Sequence, residues 1–138
     1  MAKLEWLETF ELGYPEIDND HKEMLSIMKA IEAQADAENF ELCAKLLDEL
    51  IFHSKAHFER EEKLLADAGY PYVDLHGEYH SALVARADAV KEICQGIRSK
   101  ENFKDCCMEM FGFLVDDVIA GDLQFKSFLE EKGLIKRT

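Results

Sequence analysis

LDELIFHSKAHFEREEKLL, residues 47–65, has leucines at both ends and, between them, His53, His57 and Glu61 at steps of four. Four residues is a little over one helical turn, so all three share the stripe on which Leu46/Leu47, Leu50 and Leu64/Leu65 turn towards a core. The stretch predicts a long amphipathic helix, from about Phe40 to Ala68, ended by "AGYP" through Gly69 and Pro71. Its inward face is polar in the middle. Isolated ions in such a place cost several kcal/mol each, so the fold must bring something to meet them.

The rest of the chain supplies more helices. With only two prolines, Pro15 and Pro71, and long runs of Leu, Ala, Glu and Lys, strands have little room. A first helix is expected after "EIDNDH", with Asp18 as N-cap, carrying Met24/Leu25, Met28 and Ile31/Glu32 inward to about Asp36. A third is expected over about Tyr72 to Gly96, with His76, His80, Leu83/Val84 and Ala87 on one stripe. "IRSKEN" forms the next turn. A fourth is expected from near Asn102 to the end, through Met110, Phe113/Leu114, Asp117/Val118, Phe125 and Phe128/Leu129.

Helices of this length joined by short turns prefer antiparallel neighbours. The expected fold is all-α: an up-down-up-down four-helix bundle. At 138 residues the chain reads as one domain, with an N-terminal arm over 1–18 and the bundle over about 19–131. Trp6 and Phe10 are expected to lay that arm across the bundle.

The charge balance, 29 acidic against 16 basic side chains for a net −13, repels phosphate backbones and anionic lipid, so neither nucleic acid nor membrane is an expected partner. No apolar run approaches the roughly 20 residues of a membrane span. The acidic start lacks the order of a secretory signal, and the cytoplasm is the expected location. Cys43, Cys94, Cys106 and Cys107 show no C-x-x-C spacing and read as small apolar packers in a reducing compartment. The oligomeric state is not legible, and a monomer is compatible with the sequence.

In "HGEYH", residues 76–80, His76 and His80 repeat the four-residue step. A single inward histidine is usually a hydrogen-bonded core residue. Two helices that each bring a pair to the interior point instead to a metal, and imidazole with carboxylate suits iron, zinc or manganese. The stretch is not the H-E-x-x-H of zinc proteases, because Gly77 stands where the glutamate would. No Glu-x-x-His occurs, which disfavours a ferritin-like site. His53 is expected near the pocket entrance or supporting a ligand rather than ligating.

From about Trp6 to Leu129 the chain resembles the hemerythrin family, specifically its single-domain bacterial members. The matching elements are "IDNDH" ending in His21, "HFEREE" with His57 and Glu61, "YPYVDLHGEYH" with His76 and His80, and Asp122 near the end of "FLVDDVIAGD", residues 113–122. The resemblance implies a four-helix bundle, an oxo- or hydroxo-bridged pair of iron ions, and binding of dioxygen or a similar small ligand. Carried over, His21 and His57 ligate one iron, His76 and His80 the other, and Glu61 and Asp122 bridge them.

The family pattern ends in His-x-x-x-x-Asp, and five residues before Asp122 this chain has Asp117. Asp117 is read as a variant seventh ligand, direct or through water, or else as an acid away from the metals. An added negative charge at iron favours the oxidised state and faster autoxidation. The resemblance thus implies an oxygen-binding protein rather than an enzyme, with an oxidase, a peroxidase or a redox or nitric-oxide sensor as the alternatives that Asp117 raises.

Overall fold

Pro15 opens the first helix. At a helix's first position a missing N–H costs nothing and the fixed φ is already helical. A computed structural model, which describes residues 11–116 and 122–136, accordingly has α1 at Pro15–Asp36. The expected start after Asp18 is corrected. Asp18 lies inside α1, buried, and its carboxylate accepts the N–H groups of Leu12 (2.9 Å) and Gly13 (3.0 Å). It ties the preceding segment to the first turn instead of capping the helix. Trp6 and Phe10 lie outside the described residues.

The second helix, α2, spans Phe40–Ala68 as its periodicity predicts. The Asn39 side chain accepts the Leu42 N–H at its start, and Gly69, at φ 78°, supplies the left-handed residue that closes its end. Next come α3 at Val73–Gln95 and α4 at Lys100–Asp116. The earlier start of α4 follows from a turn closed by the Phe103 N–H on the Ser99 carbonyl at 2.8 Å. A short α5 spans Asp122–Glu131, so the described part of the expected fourth helix comprises two helices. Residues 117–121 between them, Asp117 included, and the side chain of Asp122 lie outside the description.

The four longer helices pack in order, α1 on α2, α2 on α3, α3 on α4, and α4 closes back on α1. This is the expected four-helix bundle. Among the described residues its apolar interior falls into two clusters. The larger includes Met24 and Ile31 of α1, Leu47, Leu50 and Phe58 of α2, Leu83 and Ala87 of α3, and Phe103, Met110, Phe111 and Leu114 of α4. The smaller gathers Leu12, Ile17, Leu65, Phe125, Leu129 and Ile135. Along α1, beyond Asp18, His21 turns inward between Ile17 and Met24; along α2, Glu61 does so between Phe58 and Leu65. A polar layer therefore crosses the bundle between two apolar ones.

The cysteines depart from expectation. Cys94, at the end of α3, and Cys106 of α4 form a disulfide with Cα atoms 5.8 Å apart. Spacing along the chain could not show this, because the pairing depends on which faces of two antiparallel helices meet. Cys43 and Cys107 stay free and buried, and burial, with Cys43 adding to it, pushes the Cys107 thiol up to about 12. These two fit the packing role. Among the described residues no helix is long and apolar enough to cross a membrane.

Candidate metal centre

Among the described residues three helices contribute to the polar layer: His21 from α1, His57 and Glu61 from α2, His76 and His80 from α3. The four-residue steps on α2 and α3 put each helix's pair one above the other. All five are buried, His57 and Glu61 completely.

They converge as two clusters that share one carboxylate. His21, His57 and Glu61 form the first, and Glu61, His76 and His80 the second, with candidate ligand atoms in each within 4.8 Å of one another. Glu61 divides its oxygens between them. Its Oε2 faces His57 Nε2 at 3.1 Å and His21 Nε2 at 4.0 Å, while Oε1 faces His76 Nε2 at 2.7 Å and His80 Nε2 at 3.2 Å. One carboxylate oxygen per histidine pair is the arrangement that lets a carboxylate bridge two cations.

The outer ring nitrogens are held by carboxylates that the sequence reading did not single out. His57 Nδ1 donates to Asp20 Oδ2 at 3.2 Å, and Arg60 grips the same carboxylate with two bonds, at 2.9 and 2.7 Å. On the other side His80 Nδ1 lies 3.4 Å from Glu62 Oε2. A partner on Nδ1 sets which nitrogen keeps its lone pair, and here it directs Nε2 inward. Both acids adjoin a histidine or glutamate of the layer in sequence, at Asp20–His21 and Glu61–Glu62. That adjacency is the only local signal of their role.

Charge is distributed unevenly. Burial opposes a charge on Asp20, but hydrogen bonds from His57 and Arg60 outweigh it and hold the carboxyl down at about 2. For His57, burial lowers and the neighbouring carboxylates of Asp20 and Glu61 raise, leaving the ring at about 9. Burial, then the neighbouring His57, push His21 down to about 3. Glu61, despite burial, is held well below the usual carboxylate range by His57, His76 and His80.

The donor set fits cations better than protons. His21 Nε2 and His57 Nε2 face each other at 2.8 Å, where one proton at most can lie between them. Glu61 Oε2 is buried with no hydrogen bond of acceptable geometry among the described residues, although His57 is beside it. A cation in each cluster would take up these converging lone pairs, and a nitrogen-and-oxygen set suits iron, zinc or manganese.

Apolar surfaces line the layer. Phe58 stacks on the His80 ring, with centroids 4.0 Å apart and planes at 14°, and Phe125 meets His76 edge-on at 5.2 Å. On its outer side His76 forms part of the wall of a half-open cavity of about 290 Å³, with Tyr70, Tyr72, Leu75, Tyr79 and Gln124.

Of the predicted site residues, the structure brings His21, His57, Glu61, His76 and His80 together. Asp117 and the Asp122 side chain lie outside the described residues. His53 stands apart from both clusters, its ring nitrogens 3.6 Å from Glu23 and 3.8 Å from Glu49 at the α1–α2 surface.

Comparison with known proteins agrees with this geometry. Residues 12–120 match the family model described as the hemerythrin HHE cation binding domain. The chain is 25% identical to a bacteriohemerythrin of Stenotrophomonas maltophilia over 90% of its own length and 79% of the relative's. It is 31% identical to the myohemerythrin of Theromyzon tessulatum, covering 72% of this chain and 75% of that one. A bacteriohemerythrin of Pseudomonas paraeruginosa is 29% identical over 62% of this chain, a match that spans little more than half, 56%, of that relative's length.

Proposed function

Because the chain belongs to the hemerythrin family, we propose that it binds dioxygen, or a small ligand of the same kind, at a pair of iron ions in the polar layer of the bundle. His21 and His57 would hold one ion and His76 and His80 the other, with Glu61 shared between them. By the family pattern Asp122 is a second bridge and Asp117 stands in for a histidine. The observation that carries the reading is the division of Glu61, one oxygen to each histidine pair.

The iron pair, when bound, supplies two electrons and a position for the ligand. The chain supplies the surroundings. Phe58, Met24 and Leu83 on one side of the layer and Leu65, Ile17 and Phe125 on the other exclude water. Asp20 accepts the outer N–H of His57, so the imidazole would meet a metal through Nε2 and would then have no inward N–H to give to a bound ligand.

The test uses protein loaded anaerobically with ferrous iron. Expected are two irons per chain and a visible charge-transfer band that appears with oxygen and disappears when oxygen is removed. Iron stoichiometry unchanged by His76→Ala or His80→Ala contradicts the assignment. Asp117, an acid where the family has histidine, favours a second outcome: direct passage to a stable oxidised spectrum. Peroxide consumption beyond one equivalent per site would then mark an oxidase or peroxidase.

A further inference from the structure

Gly77 stands in the interior of α3 between His76 and His80, a position where glycine weakens a helix relative to alanine. Its backbone is not in the left-handed region, so no turn requires it. What it provides is room. A Cβ at Gly77 would lie 2.5 Å from Glu62 Oε1 and 3.5 Å from Glu62 Cδ.

Glu62 arrives from α2. As the residue after Glu61 it leaves the helix about 100° around from it. Glu61 points into the layer, whereas the half-buried Glu62 passes over Gly77 to the outer side of His80, where Oε2 lies 3.4 Å from Nδ1. Consecutive carboxylates thus face the two nitrogens of one ring, Glu61 on Nε2 and Glu62 on Nδ1, and Phe58 stacks on its face.

We propose that Glu62 is the positioning residue of His80, holding the proton on Nδ1 and turning the Nε2 lone pair to the metal position, and that Gly77 is glycine to let the Glu62 carboxylate through. The metal half of this rests on the two-metal reading above. The counterpart on the first cluster is tighter: Asp20 is clamped by two bonds from Arg60, whereas the Glu62 side chain is 35% exposed. The His76/His80 position therefore depends on Glu62 and is the first to lose its ion.

Gly77→Ala separates this role from a merely structural one. The new methyl meets the far end of a flexible side chain, so the helix forms and the carboxylate swings away. Two readouts on the full chain test it. In metal-free protein, the exchange-protected Nδ1 proton of His80, seen by nitrogen-15 NMR, is present in the wild type and lost in both Gly77→Ala and Glu62→Ala. In cobalt(II) titrations each variant weakens the second ion by about 10-fold and leaves the first unchanged, while the melting temperature of Gly77→Ala does not fall. The double variant is no worse than Glu62→Ala alone, and Glu62→Gln, which keeps an acceptor oxygen, recovers most of the affinity.

The proposal is overturned if Gly77→Ala matches the wild type in both readouts. It is equally overturned if the two losses multiply in the double variant, or if both ions weaken together with a falling melting temperature. A wild-type chain that takes up no cobalt overturns the two-metal reading itself. That failure is distinguishable, because the His80 proton is read without metal.

Discussion

His21 and His57 touch through their Nε2 atoms yet titrate in opposite directions, and the reason is what lies behind each ring. Asp20 backs His57 and holds it protonated to about 9, while burial keeps His21 neutral down to about 3. Raised above its ordinary 6.5 in the fold, His57 contributes stability that is complete below that value and lost as pH climbs to about 9. His21, lowered, contributes stability present above 6.5 and lost as pH falls towards about 3. Metal-free protein is therefore expected to be most stable near pH 6.5, falling on both sides, in denaturant titrations across a pH series. With metal on His57 in place of the proton the alkaline decline should vanish; a metal-free curve flat from 6.5 to 9 would contradict the charge assignment. His57, Glu61, His76 and His80 were legible because steps of four are local, whereas His21, alone on its helix, was named only through the family resemblance. The Asp20–His57 and Glu62–His80 contacts were not legible, since they span 37 and 18 residues and depend on which helix faces meet.

The helices themselves show which boundary signals can be read from sequence. Both ends of α2 were correct because Asn39 and Gly69 each satisfy the helix's terminal backbone groups locally. The start of α1 was misplaced because Asp18 has the residue type of a cap, while Pro15 occupies the first position and the carboxylate serves Leu12 and Gly13 instead. On α3 two functions sit far apart. Cys94 is fourteen residues beyond His80, about 21 Å along the helix at 1.5 Å per residue. Closing the twelve-residue separation between Cys94 and Cys106 is expected to contribute about 3 kcal/mol by restricting the unfolded chain. Cys94→Ala with Cys106→Ala should lower stability by that order in urea unfolding and leave metal stoichiometry at the wild-type value. A variant that loses metal as well would mean that the two ends of α3 are coupled.

The bundle was legible as a bundle because short turns between long amphipathic helices allow few other arrangements. Its division into two apolar clusters was not, since it appears only when the inward residues of separate helices are superposed. Phe111 belongs to the larger cluster and Phe125 to the smaller, both fully buried. Phe111→Ala is expected to cost about 3 to 5 kcal/mol of global stability. Phe125→Ala, beside His76, should in addition weaken metal retention, and equal metal affinity in the two variants would count against the layered arrangement.

Between the clusters lies a stratum of buried charge, and such a stratum transmits cooperativity poorly until something binds its two sides together. Amides of Leu65, Phe125 and Leu129 should exchange with solvent through an opening of the smaller cluster alone in metal-free protein, and only with the whole bundle once metal is bound. A chain deprived of metal would then stand ajar at one end. Proteases act on what opens, so the abundance of this protein would follow the metal supply without any dedicated regulator.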